Sequence, residues 1–352
     1  MGIGVLAIGV LFLAAGCASG ISHTNTTIPT TIDIVDESEE VAEETTAEEP
    51  PSVAEGPELT IVSMQIDNIA DALDVITMTD EEHAEEPLIL AFGEIHDYCL
   101  IDPNLTCMSF PTTADHMFQE IFPLLARPEF GGIHDHVSEF FRNDPVVDQQ
   151  IGRFYQGTDI NTLDHIDDFM NLRDSCAIFS LLEIARDEHI SIYGTQLNLI
   201  ELPDASRLFE QYADNREAVR LILSANSTYY INNVYDQGRS VSFYGGASHI
   251  NPDPPPDYAA RSFGDELRDL YPNYRAIALI VPEIAERDSN IANPILIRLN
   301  IWRQYVPADG LTLLMTRVNG RRSLYYIIFP RTPASQVRPI SRSEIHDCVS
   351  QP

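Results

Sequence analysis

Apolar residues enter this chain in two rhythms. Short apolar runs at 88–92, 190–193, 241–244 and 275–281 stop abruptly, the first three at a glycine. Runs of that length, closed by turn residues, are expected to be strands of a buried sheet. A less regular strand is expected over 132–141. The segments 311–315 and 323–329, joined through Asn319-Gly320, have the pattern of a closing hairpin. Between these runs the spacing changes to three and four. Ile66, Ile69, Ala70, Leu73 and Ile76 form a helical stripe over 66–78, and further helices are expected at 113–125, 146–155, 174–188, 204–223 (with a continuation to 234) and 263–270. Strands alternating with helices predict an α/β fold: a mixed, mostly parallel central sheet with helices on both faces.

The N-terminal pattern is different. Residues 2–15 are apolar and end in small residues, and Leu13-Ala-Ala-Gly-Cys17 resembles a bacterial lipobox. That resemblance implies a signal peptide at 1–17, lipidation of Cys17, export, and anchoring in the lipid bilayer through Cys17. The absence of Lys or Arg before the run is a departure, and an uncleaved anchor is the alternative. Ala18, in place of an aspartate, points to the outer membrane or cell surface. Residues 18–58 are rich in Thr, Glu and Pro and poor in aromatics, the composition of a disordered tether. A single domain is expected over 59–345. Cys99 and Cys107 flank a Pro-Asn turn and suit a small disulfide loop in an exported protein; Cys176 and Cys348 could pair, or Cys176 could be a buried thiol.

Charge narrows the partners. The 352 residues carry 54 Asp and Glu against 21 cations, a net charge of −33; every cation is arginine, the first being Arg127. Such a surface repels nucleic acid and anionic lipid headgroups. It also suits high-salt surroundings, where screening relieves self-repulsion.

Candidate chemistry collects at the strand ends. Glu94 and His96 follow the first run at a spacing of two, which on extended backbone points both side chains the same way. His249 follows the 241–244 run after Gly245-Gly246-Ala247-Ser248. In open α/β sheets the carboxyl edge binds ligands, so these two strand ends are expected to meet. Histidines and carboxylates there could bind a divalent metal, with Glu94, His96 and His249 as ligands. Alternatively, a histidine could deprotonate water while a glutamate orients it. Glu139 closes the second strand as a further candidate, and Arg216 could neutralise it or clamp an anionic group of a small-molecule or peptide substrate. Tyr244 and Ser248 stand close by in sequence. The pair His134 and His136 is spaced for a metal but is expected to be solvated or to support other groups, and His116 is expected on a polar helix face. No serine sits in a Gly-x-Ser-x-Gly elbow, so serine nucleophilic catalysis lacks support.

Gly93-Glu94-Ile95-His96, a later glutamate strand, Asn215-Arg216 opening a helix, and Gly245-Gly246-Ala247-Ser248-His249 together resemble the superfamily of erythromycin esterases, Tiki/TraB proteins and haem-uptake ChaN lipoproteins, over roughly residues 88–281. The resemblance implies one of two activities. The first is hydrolysis of ester or peptide bonds through Glu94, His96, Glu139, Arg216 and His249. The second is haem binding for iron uptake, for which Tyr98 and Tyr244 are available as ligands. A degenerate surface domain without chemistry is the third possibility.

Overall fold

The computed structural model describes residues 23–24, 58–79, 81–95, 106–143, 145–156, 175–197, 216–287 and 293–340. Cys17, nearly all of the tether, His96, Tyr98, Cys99 and Cys348 lie outside the described residues.

The strands are β1 (His23–Thr24), β2 (Leu59–Ile66), β3 (Ile89–Glu94), β4 (Asp135–Asn143), β5 (Ser191–Leu197), β6 (Val241–Gly246), β7 (Tyr274–Ile280), β8 (Leu311–Val318) and β9 (Arg321–Ile328). They form one nine-stranded sheet in the order β1-β2-β8-β9-β7-β3-β6-β4-β5. From β9 to β5 every pairing is parallel, whereas β1, β2, β8 and β9 pair antiparallel. The sheet is therefore mixed and mostly parallel. Its centre is the first apolar run: β3 lies between β6 and β7, and Ile89 through Phe92 are completely buried.

Helices connect the strands: α1 (Ile69–Thr77), α2 (113–125), α3 (Pro145–Tyr155), α4 (Ser175–Asp187), α5 (Arg216–Tyr235) and α6 (Gly264–Leu270). The second of these, α2, runs from Thr113–Asp115 through a π-helical stretch, His116–Ile121, to Phe122–Leu125. The helical stripe begins three residues later than its first apolar position. Asn68 caps α1, its side chain accepting from the Asp71 N–H at 3.1 Å. Ile66 instead closes β2, which pairs along its length with β8. The two-residue β1 falls within the stretch expected to be a tether. It adds to the sheet edge through backbone pairing with Met64 and Ser63, which needs no apolar side chain.

The closing hairpin belongs to the sheet. Asn319 and Gly320 adopt φ of 50° and 76°, the left-handed pair that a tight hairpin turn demands. Opposite faces of the sheet are sealed by different aromatics: Phe118 of α2 meets Tyr244 edge-on at 5.0 Å, and Phe263, just before α6, meets Phe243 at 5.0 Å. Among the described residues no helix is long and apolar enough to cross a membrane.

Candidate functional site

The two glycine-bearing strand ends lie side by side. β3 and β6 run parallel in register, Gly93 opposite Gly245 and Glu94 opposite Gly246, and the Ala247 N–H donates to the Glu94 carbonyl at 2.8 Å. Both glycines are needed for this approach. A Cβ on Gly93 would stand 2.6 Å from the Ala247 Cα, and one on Gly245 would stand 2.4 Å from Glu139 Oε2.

Strand alternation then divides the polar residues between the faces of the sheet. Glu94 and Tyr244 point to the α2 side, where the Tyr244 hydroxyl donates to Glu94 Oε2 in a short hydrogen bond. Tyr244 is completely buried between Phe118 and Phe140. Its hydroxyl thus serves the carboxylate, and Tyr244 is not exposed to ligate a haem iron as the sequence suggested.

Glu139 and His249 meet on the other side. Glu139 is only 8% exposed, and its Oε2 accepts the Gly246 N–H at 2.5 Å. A charge-assisted bond of this kind contributes about 1.5–3 kcal/mol and fixes the carboxylate in place. The other oxygen, Oε1, lies 3.8 Å from His249 Nε2. That is too long for a direct hydrogen bond, yet close enough for one water to touch both. His249 is itself buried, and its Nδ1 faces the Arg261 carbonyl at 2.8 Å and Ser224 Oγ at 3.3 Å. A carbonyl only accepts, so Nδ1 carries the proton; in the neutral ring Nε2 is then a free lone pair beside Glu139.

The other expected residues are scattered. Arg216 is the first residue of α5, the helix that also brings Ser224 to His249. Of the His134–His136 pair, His134 lies at the surface with Nδ1 3.2 Å from the Glu188 carbonyl. His136, expected to be solvated or supporting, is fully buried against Phe122 with Nδ1 2.8 Å from Ser242 Oγ, and burial lowers its pKa to about 3. Between them, Asp135 is buried and ion-paired with Arg239. His116, expected on a polar helix face, stacks on Phe329 at 3.7 Å. Cys107 is disulfide-bonded.

Sequence reading missed Ser224 and the Arg261 carbonyl. Nothing in the Leu-Ser-Ala-Asn-Ser stretch around Ser224 marks it; its role exists only because α5 packs over β6. The Gly246 N–H on Glu139 had a signal, since adjacent glycines at a strand end allow close approach.

A divalent cation could take Glu139 Oε1 and His249 Nε2 as ligands. Catalytic sites of that class use three protein ligands, and Glu94 leaves β3 on the opposite face. Among the described residues there is no cluster of three or more metal-ligating side chains. His96, the remaining expected ligand, lies outside the described residues.

No family model matches the sequence, and no curated protein does. Among solved structures, the type III effector HopBA1 matches with a TM-score of 0.32 and 12% identity, over 70% of this chain and 88% of that one. A likeness that slight assigns neither family nor chemistry.

Proposed function

We propose that this chain is a hydrolase of ester or peptide bonds, with His249 as general base and Glu139 as its charge partner. The supporting observation is the His249–Glu139 pair at the carboxyl edge of the sheet, with Nδ1 on a backbone carbonyl and Nε2 facing the carboxylate. In this reading water gives a proton to Nε2 as its oxygen adds to the substrate carbonyl. The imidazolium is stabilised by Glu139, and the same proton passes to the departing alkoxide or amine when the tetrahedral adduct collapses. Glu94, held by Tyr244, lies on the other face of the sheet. Export and membrane anchoring through a lipidated Cys17 belong to the same proposal, resting on the Leu13–Cys17 motif.

The test is a screen of chromogenic esters and short peptides on the purified protein, beside His249→Ala and Glu139→Gln variants. Loss of about 10²–10⁴-fold in kcat/KM in the His249 variant is expected for a general base. Hydrolysis equal in all three proteins would overturn the reading. Haemin titrated into the same sample addresses the ChaN-like alternative, and a saturable, stoichiometric Soret shift without hydrolysis would favour haem carriage instead.

A further inference from the structure

The proton on His249 is placed by groups that come from two other parts of the chain. Its Nδ1 points at the Arg261 carbonyl, 2.8 Å away, and the Ser224 hydroxyl donates to that same carbonyl at 2.6 Å. A hydroxyl has one proton. Once Ser224 gives it to the carbonyl, the oxygen 3.3 Å from Nδ1 can only accept. Both groups facing Nδ1 are then acceptors, and a proton on Nε2 with a lone pair on Nδ1 would leave three electron-rich atoms in contact. Ser262 Oγ, whose single proton serves one acceptor at a time, lies 2.9 Å from the His249 backbone oxygen and 2.6 Å from that of Asn251, and the Phe263 N–H donates to His249 O at 2.9 Å; these contacts tie the neighbouring backbone, while Ser224 holds the Arg261 carbonyl itself. The 249–263 loop is thus folded back on the residue it begins with.

We propose that Ser224 is a positioning residue, acting with the Arg261 carbonyl to hold His249 in the Nδ1–H tautomer and so keep Nε2 available beside Glu139. The inference rests on the reading of His249 as the base, but its structural half is measurable without a substrate. Long-range ¹H–¹⁵N correlation spectra of the full chain, labelled with ¹⁵N-histidine, report which ring nitrogen is protonated. They would be recorded at a pH where titration of the same signals shows the ring to be neutral. The wild type is expected to show Nδ1–H alone. Ser224→Ala is expected to populate both tautomers with the melting temperature nearly unchanged, while Ser224→Thr, which keeps the hydroxyl, restores the wild-type pattern. On any ester the enzyme hydrolyses, Ser224→Ala would lower kcat about tenfold with KM little altered, the loss of one orienting hydrogen bond. An Nε2–H tautomer in the wild type, or an unchanged tautomer in Ser224→Ala, would overturn the proposal. If Ser224→Ala fails to fold, the wild-type tautomer and Ser224→Thr still decide it. Failure to find any substrate would count against the hydrolase reading while leaving the tautomer result intact.

Discussion

Acidification should destabilise this protein through His136. The ring is fully buried beside Phe122, with Ser242 Oγ on Nδ1 and, among the described residues, no hydrogen-bond partner on Nε2. A buried imidazole without an acceptor for a second proton resists charging, and burial lowers its pKa from 6.5 to about 3. The unfolded chain keeps the ordinary value. At neutral pH both states hold the ring neutral, and the linkage contributes nothing to a change with pH. As pH falls below 6.5 the unfolded state takes up a proton that the folded state refuses, so stability declines until the folded pKa is reached. At about pH 5 the loss amounts to roughly 2 kcal/mol, from 1.36 kcal/mol for each unit below the unfolded pKa. Urea denaturation of the wild type and of His136→Phe, at matched salt and at several pH values between about 7.5 and 5, measures it. The substitution keeps a flat ring beside Phe122 and removes the titration. It also removes the contact with Ser242, but that cost is the same at every pH. The stability difference between the two proteins should narrow by about 2 kcal/mol across the range. A difference constant with pH would refute the reasoning.

Three further outcomes follow from the same contacts. Gly245→Ala puts a methyl 2.4 Å from Glu139 Oε2 and 2.7 Å from the Phe243 ring; it should cost about 1–3 kcal/mol in urea denaturation and abolish any hydrolysis that depends on His249. Tyr244→Phe removes the hydroxyl that donates to Glu94, and a loss of about 1–3 kcal/mol is expected; a midpoint equal to that of the wild type would show that the bond contributes nothing. The net charge of −33 should make the protein melt several degrees higher in molar sodium chloride than in dilute buffer, as read by scanning calorimetry, and a flat or falling melting temperature would contradict it.

What the chain determined by itself is local. The runs at 88–92, 241–244 and 275–281 announce β3, β6 and β7 because a parallel strand buried on both faces is nearly all apolar, and the polar exceptions, Ser242 and Arg275, are hydrogen-bonded. Asn319-Gly320 announces the hairpin because few other pairs tolerate two positive φ values. Gly93, Gly245 and the polar residues after them mark the strand ends that meet. Tertiary structure decided the rest. β2 was hidden because a half-buried edge-side strand takes its identity from β8, its partner far along the chain, and not from its own pattern. The division of Glu94 with Tyr244 from Glu139 with His249 depends on register, since a shift of one residue exchanges the faces. His136 reads in sequence as a solvated histidine, and only the packing of α2 against the sheet removes its water. The groups on His249 Nδ1 come from α5 and from the far end of its own loop. Spacing along a sequence carries no information about which helix will lie over a given strand end, so the residues that could do chemistry were legible, whereas the geometry that sets their proton was not.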